Sequence, residues 1–339
     1  MTFSTAQRII DFALSKAQKD EKIQIGFFGG EPLIEFELIK KIVMFAKKHP
    51  SFKTNQTSFS ITTNGTILTE RILEFFLENN ISPSISCDGP PEIHDLNRHF
   101  PNGKGSSAIV ETKIKMALKL FPFLPVNAVY SPSTLELLPE VVKYLAALGL
   151  KNIFLSANIT AKWTQNEVNM LQGTWDKVGN IYKDFYNKGN PIYINLIDDK
   201  IAVVLRGGFA PNERCRMGRG EISFSTSGAM YPCERLVDSQ NPKAHCIGNS
   251  NGTRPISRRS KPIPTIAMDH ACIKCELRKY CVNWCGCSNF FATGRYNRVG
   301  AFQCASEKTA LNVALRIIQS MKEDTPFFSH HLSGIAMRQ

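Results

Sequence analysis

The residues with the clearest chemistry in this sequence are cysteines, because nine of the ten follow residue 214. Two residues separate Cys272 from Cys275, five separate Cys275 from Cys281, and three separate Cys281 from Cys285; Cys304 follows after eighteen more. A two-residue gap lets one tight turn aim two thiolates at the same metal centre. The spacing therefore indicates metal or metal–sulfur ligands.

Two further cysteines precede this run. Twelve residues separate Cys215 from Gly228, and four separate Gly228 from Cys233. Residues 221–224 and 229–231 predict a hairpin whose turn, at Gly228, positions Cys233. Seven cysteines in this order suit two iron–sulfur clusters, which together need seven or eight ligands. The alternatives are a structural zinc site, buried cysteines without a ligand, and a redox pair at Cys285 and Cys287.

Composition places the chain among ordinary globular proteins. Of its residues, 43% are hydrophobic and 21% are charged. The length of 339 residues predicts about two domains. The net charge of +12 is spread along the chain, and its densest stretch, residues 254–261, predicts a solvated loop, so we expect no nucleic acid partner. The sequence shows no membrane-spanning stretch and no secretory signal, so we expect a cytoplasmic protein with no membrane partner.

Strands and helices alternate over residues 1–190, which predicts a parallel sheet with helices outside it. Five strands are expected, at residues 22–28, 58–62, 83–87, 126–130 and 152–157, and the alternation is expected to stop near residue 190. Three strands end in the turns GFFGGEP, TTNG and SCDGPP. Chemistry in such folds lies at the carboxyl ends of the strands, and Glu31 aims a carboxylate there.

These motifs together resemble radical S-adenosylmethionine (SAM) enzymes that modify peptides. The matching stretches are GFFGGEPLIEFELIKKIV, FSITTNGTILTE, SISCDGPPEIHDLNR and NGKGSS, and the seven cysteines resemble the SPASM auxiliary-cluster domain. Maturases of cysteine-rich ribosomal peptides are the most similar group, followed by anaerobic sulfatase-maturating enzymes.

The resemblance implies an α/β fold: an incomplete parallel (β/α)6 partial TIM barrel followed by a SPASM domain. The expected divisions are a barrel at 1–190, a linker at 191–214, a SPASM domain with two iron–sulfur clusters at 215–322 and a tail at 323–339. The barrel's first strand and cluster loop are expected to be missing.

The resemblance also implies cofactor contacts. Gly29, Gly30 and Glu31 would hold the methionine amino group of SAM, and Ser86, Asp88 and Arg98 would face the rest of it. One [4Fe–4S] cluster would take Cys215, Cys233 and Cys285, and the second would take Cys272, Cys275, Cys281 and Cys304. Sulfatase-maturating relatives add a ligand upstream of Cys215, where residues 209–214 hold no cysteine. The first cluster is therefore expected to have an open iron site or to be closed by Cys246 or Cys287.

One family feature is absent from the sequence. These enzymes bind their SAM-cleaving cluster through a CxxxCxxC triplet, whereas Cys87 is the only cysteine before residue 215. The expectation is an N-terminally truncated chain, or one whose missing piece is supplied separately, and no SAM cleavage by the chain itself.

The expected function is radical modification of a peptide or protein, with thioether formation at cysteine, a reductant such as ferredoxin or flavodoxin, and Glu234 as a candidate base. The alternatives are a non-catalytic iron–sulfur peptide-binding partner, formylglycine formation of the sulfatase-maturase type, and a zinc-binding interaction protein with a basic face.

Overall fold

The structure is a computed structural model that describes residues 1–17, 21–210, 213, 215, 217–218, 220–237, 242–250, 270–282, 285–321 and 326–327. The basic stretch at residues 254–261 and most of the expected tail lie outside these residues. The helices are α1 (Phe3–Lys16), α2 (Phe36–Lys48), α3 (Glu70–Glu78), α4 (Pro91–His94), α5 (Ser107–Leu118), α6 (Leu138–Ala147), α7 (Gln165–Asn187), α8 (Asn195–Leu205), α9 (Pro242–His245), α10 (His270–Ile273), α11 (Gly286–Thr293) and α12 (Ala301–Ser320).

Nine strands form two sheets in the described part of the chain. They are β1 (Ile23–Phe27), β2 (Thr57–Thr63), β3 (Ile81–Ser86), β4 (Pro125–Tyr130), β5 (Asn152–Ala157), β6 (Tyr193–Ile194), β7 (Ser223–Phe224), β8 (Ala229–Tyr231) and β9 (Gly248–Asn249). The first six make one sheet in the order β1-β2-β3-β4-β5-β6, and the last three make a small antiparallel sheet.

The large sheet confirms the predicted α/β class and corrects the strand count. Parallel pairing runs from Ile23 opposite Thr57 to Asn152 opposite Tyr193, as expected for strands joined by helices. The expectation of five strands with alternation ending near residue 190 is wrong, because β6 and α8 extend the pattern inside the expected linker. The two-residue β6 is too short to give a periodic signal. The predicted domain boundaries themselves stay a prediction.

Local sequence explains where several helices start and where α6 ends. Thr69 accepts a hydrogen bond from the Ile72 amide, which caps α3 as predicted. Thr164 and Glu167 form a capping box that starts the long α7. Gly149 follows α6 with a φ of +92°, a conformation that favours glycine.

The chain packs as two compact units: residues 1–84 with 215–266, and residues 85–214 with 267–339. In the first, the predicted hairpin of β7 and β8 is confirmed, and Phe12 of α1 meets Phe224 edge-on at 5.9 Å between ring centroids. Gly228 makes its turn at a φ of +86°. A side chain there would collide with Ser250, which explains glycine at this position.

In the second unit, α12 packs between α7 and α8. The interior around them is apolar and includes the fully buried Trp175 and Tyr182. The predicted last helix is confirmed, although it starts earlier than expected, at Ala301. Among the described helices, none combines the length and apolar character needed to cross a membrane.

Candidate functional site

The turn after β1 presents bare backbone next to a carboxylate. Gly29 and Gly30 have φ values of +100° and +53°, and a Cβ built on either would meet no atom within 4 Å. The glycines therefore serve backbone conformation rather than tight packing. Open space over two glycines lets a ligand approach the main chain closely.

Glu31 ties the end of β1 to the end of β2. Its Oε1 accepts hydrogen bonds from the Leu33 amide at 3.0 Å and the Thr63 hydroxyl at 2.7 Å, and its Oε2 accepts one from the Asn64 amide at 2.7 Å. A carboxylate has about four acceptor positions, so one on Oε2 is left over. The structure therefore brings together two of the three motif turns predicted to meet at the carboxyl ends of the strands.

Asp88 lies just beyond β3 and is 5% exposed. Arg98 donates two hydrogen bonds to Asp88, from Nε to Oδ2 at 2.8 Å and from Nη2 to Oδ1 at 3.0 Å. The Val129 amide of β4 donates a third, to Oδ1 at 2.8 Å. This bidentate, charge-assisted pairing fixes both side chains. Asp88 is therefore held by the protein itself, whereas Arg98 is partly exposed and Ser86 is half-buried on β3.

Behind Asp88 lies a buried histidine that the sequence did not single out. The Asp88 amide donates to Nδ1 of His94 at 3.2 Å, and Nε2 of His94 lies 3.0 Å from Oγ of Ser106. Because the Ser106 hydroxyl donates to the Arg98 carbonyl, Nε2 must carry the proton and Nδ1 must be bare. Burial lowers the pKa of His94, which agrees with this neutral tautomer. The clue was its position inside the motif SCDGPPEIHDLNR.

Cys87, the only cysteine before residue 215, is unsuited to bind a metal in this conformation. It is 3% exposed, and its thiol points to the Gly89 carbonyl at 3.7 Å. Burial raises the pKa of Cys87 to about 11, so the thiolate that binds metal is disfavoured.

In the first unit, the predicted ligand Cys233 and the candidate base Glu234 lie together. The Cys233 thiol donates to Oε2 of Glu234 at 3.3 Å, and ligand atoms of Glu221, Cys233 and Glu234 all lie within 4.8 Å of one another. Burial alone would raise the pKa of Glu234, but a hydrogen bond shared with Glu221 and one donated by the Cys233 thiol hold it below its ordinary value. Cys215, the other predicted ligand of this unit, is half-buried.

In the second unit, the four cysteines predicted for the second cluster are all half-buried. Burial raises the pKa of Cys304, and the charges of Cys272 and Cys275 raise it further. Cys281 follows the 3-10 helix Glu276–Tyr280.

Cys285 caps α11, and its sulfur lies 3.6 Å from that of the buried Cys287. A hydrogen bond that the Cys285 thiol donates to Cys287 raises the pKa of Cys285, and burial raises it further. Cys246, the other candidate for closing the first cluster, is exposed in the first unit.

The donor sets differ in how well they fit iron. Within the described residues, Glu221, Cys233 and Glu234 form the one group of three or more metal-binding side chains within mutual distances of 4.8 Å. The thiols around Cys304 are thus spread more widely than a single zinc ion at about 2.3 Å from each sulfur requires. Separated thiols fit a cluster, where each binds its own iron. The barrel residues, with Cys87 alone, do not fit a further cluster.

Comparison with known proteins agrees with this geometry. Residues 2–130 match the family model of the radical SAM superfamily. An uncharacterised protein of Methanocaldococcus jannaschii is 31% identical over 262 residues, 76% of this chain and 81% of that protein. A cysteine-type anaerobic sulfatase-maturating enzyme of Clostridium novyi is 27% identical over 70% of this chain and 65% of the enzyme.

Among solved structures, anSMEcpe with bound AdoMet and the Cp18Cys peptide has the same fold. The TM-score is 0.77 at 20% identity, over 95% of this chain and 91% of that one. The six-stranded parallel sheet is accordingly the partial TIM barrel of enzymes that use SAM and iron–sulfur clusters. With the GGE turn, the cysteine set and the sequence matches in agreement, the chain belongs to the radical SAM superfamily.

Proposed function

We propose that this chain supplies the SAM-binding turn and the auxiliary clusters for radical SAM modification of a peptide or protein side chain. The observation that carries the proposal is the pairing, in one chain, of the Glu31 turn with a C-terminal set of seven cysteines. The peptide bound to anSMEcpe supports a peptide or protein substrate here.

Glu31 would bind the methionine amino group of SAM with the acceptor position that its three internal hydrogen bonds leave over. An ammonium group brings donors only, so it complements that position. Gly29 and Gly30 keep the approach open. Asp88 would act through Arg98, whose guanidinium it holds in place at the end of β3.

The seven cysteines would hold two [4Fe–4S] clusters: Cys272, Cys275, Cys281 and Cys304 at one, and Cys215, Cys233 and Cys285 at the other. When bound to the enzyme, SAM and a reduced cluster supply the radical that abstracts a hydrogen atom from the substrate. Glu234, bonded to the Cys233 thiol, is the nearby carboxylate that would accept a proton released from the substrate.

Thioether formation at a substrate cysteine is the reaction we favour. Residues 209–214 contain no cysteine to complete the first cluster, so a substrate thiolate would have an iron to bind. The second candidate is oxidation of the sulfatase-maturing type, which the relative from Clostridium novyi favours by its name. The two candidates differ in their products, a cross-linked peptide and a formylglycine.

Metal analysis of the anaerobically purified chain tests the cluster proposal. We expect about eight irons and a matching amount of sulfide per chain, at four per cluster. Cys272→Ala and Cys215→Ala should each remove about half of the iron, because their ligand sets differ. Cys87→Ala, in the barrel, is the matched control and should keep all of it. Stoichiometric zinc without sulfide would overturn the proposal in favour of a zinc-binding protein.

SAM cleavage tests the catalytic part. The 339-residue polypeptide has one cysteine before residue 215. With dithionite or reduced flavodoxin it should therefore release no 5′-deoxyadenosine above a protein-free control. Addition of a segment that carries a CxxxCxxC triplet, joined or separate, should start cleavage. Cleavage without that segment would show that other ligands hold the cluster and would refute this part.

A further inference from the structure

A buried ion pair lies next to the second set of cysteines. Lys200 of α8 is 3% exposed and Glu307 of α12 is 8% exposed, and Nζ of Lys200 lies 2.6 Å from Oε2 of Glu307. Lys200 and Glu307 are 107 residues apart in sequence. Buried charges of this kind are expensive unless well paired, so their presence calls for a reason.

The pair also holds the backbone on both sides of Cys281. Lys200 donates a second hydrogen bond to the Tyr280 carbonyl at 2.9 Å, and the Val282 amide donates to Oε2 of Glu307 at 2.8 Å. The residue before Cys281 is thus fixed by the cation and the residue after it by the anion. These two bonds leave little freedom for the Cys281 backbone.

The same glutamate is linked to a second cysteine. Cys304 precedes Glu307 by three residues on α12, so the two side chains share one face of that helix. Movement of α12 relative to the Cys281 loop would therefore break the hydrogen bond between Val282 and Glu307.

An aromatic ring near Lys200 is also bonded to the segment that leads into Cys281. Its ammonium lies 5.5 Å from the centre of the Phe209 ring, and the Phe209 amide donates to the Lys279 carbonyl at 2.8 Å. The segment that ends α8 is therefore bonded to the 3-10 helix that leads into Cys281. The ammonium thus contacts a carboxylate, a carbonyl and an aromatic face.

We propose that Lys200 and Glu307 are positioning residues that hold Cys281 and Cys304 at the separation needed to bind one iron–sulfur cluster. The inference rests on the proposed assignment of both cysteines to the second cluster. Hydrophobic residues of similar volume would fill the same space without the desolvation of two charges. A charged pair, unlike such residues, donates to and accepts from the main chain on either side of Cys281.

The test compares three changes in the full anaerobically purified chain: Lys200→Met, Glu307→Leu, and the double change Lys200→Met with Glu307→Leu. The double variant matters because it leaves no unpaired buried charge and should fold. Arg316→Met is the matched control. Arg316 lies on α12, as Glu307 does, and the change breaks its exposed ion pair with Asp176 of α7. The readouts are iron content and the electron paramagnetic resonance signal that Cys272→Ala removes.

We expect all three variants to lose about half of the iron and the second-cluster signal, and Arg316→Met to lose neither. In iron-free protein, hydrogen exchange at the Val282 amide should speed up about tenfold in Glu307→Leu, as expected for one lost hydrogen bond. A folded double variant that keeps the second-cluster signal would overturn the proposal, because the pair would then only neutralise itself. Loss of helical content in the double variant would overturn it too, since the pair would then support the whole unit.

The cluster assignment fails separately from this inference. If Cys272→Ala keeps all of its iron, the second cluster does not exist as proposed. If Cys272→Ala loses iron while the three ion-pair variants keep theirs, only the positioning role is refuted.

Discussion

Replacement of Glu31 by glutamine tests whether this carboxylate is a structural clamp in addition to its proposed role in SAM binding. The substitution keeps the length of the side chain and exchanges one oxygen for an amide group. Glu31 accepts from two main-chain amides and one hydroxyl, which belong to the 3-10 helix after β1 and to the end of β2. Glutamine can accept with one atom only, so it cannot satisfy both amides as the carboxylate does.

The size of the effect follows from those contacts. If the glutamine oxygen keeps the bonds to Leu33 and Thr63, its amide group faces the Asn64 amide, and two donors meet. A hydrogen bond to a charged group is worth about 1.5–3 kcal/mol, and the half-exposed position of Glu31 lets water replace part of it. We therefore expect the free energy of unfolding to fall by about 1–2 kcal/mol.

Urea unfolding followed by circular dichroism measures this change, and hydrogen exchange at the Asn64 amide locates it. Glu35→Gln is the matched control, because Glu35 is exposed and its side chain makes no capping hydrogen bond. The control should differ from the parent by less than about 0.5 kcal/mol. A Glu31→Gln chain as stable as the control, with unchanged exchange at Asn64, would refute the clamp.

Three further predictions concern the frame around the site. Burial lowers the pKa of His94, so below about pH 6.5 the unfolded chain binds more protons than the folded one, and stability should decrease as the pH is lowered. In His94→Asn, whose side chain can still accept from the Asp88 amide, urea unfolding between pH 7 and pH 5 should show a smaller decrease. An unchanged dependence on pH would contradict this prediction. Thr69→Ala should destabilise the chain by about 1 kcal/mol through loss of the α3 cap, and a stability within error of the parent would argue against it. Tyr182→Phe removes a 2.9 Å hydrogen bond to the buried Asp198 and should cost about 1–3 kcal/mol in urea unfolding; a neutral result would mean that water replaces the hydroxyl.

Most elements of the barrel could be predicted because their signals are local. The cap at Thr69 and the glycine after α6 are read within a few residues. The meeting of Glu31 with Thr63 and Asn64 follows from parallel topology, which brings the ends of neighbouring strands to one edge. The sequence did not reveal that Glu31 and Asp88 spend most of their acceptor positions on the protein itself, because hydrogen-bond partners depend on side-chain geometry.

The histidine behind Asp88 shows the same limit. Nothing in its spacing separates His94 from a surface residue of a short helix. Its role depends on Ser106, twelve residues away and beyond a loop. Its tautomer, in turn, depends on where the Ser106 hydroxyl donates.

Helix α8, which the sequence did not predict, is also the helix that contacts the backbone beside Cys281. The sequence of α8, NLIDDKIAVVL, carries three consecutive charged residues, a pattern typical of a solvent-exposed turn or linker. Two of them, Asp198 and Lys200, are buried, because Asp198 accepts from Tyr182 and Lys200 pairs with Glu307. Neither partner is close in sequence, so hydrophobic periodicity could not show that the charges point inward. Asp198 attaches α8 to the long helix α7, and Lys200 attaches α8 to α12, the helix that bears Cys304. These two buried charges of the expected linker therefore connect α8, which follows the barrel's last strand, to the cysteine-rich region.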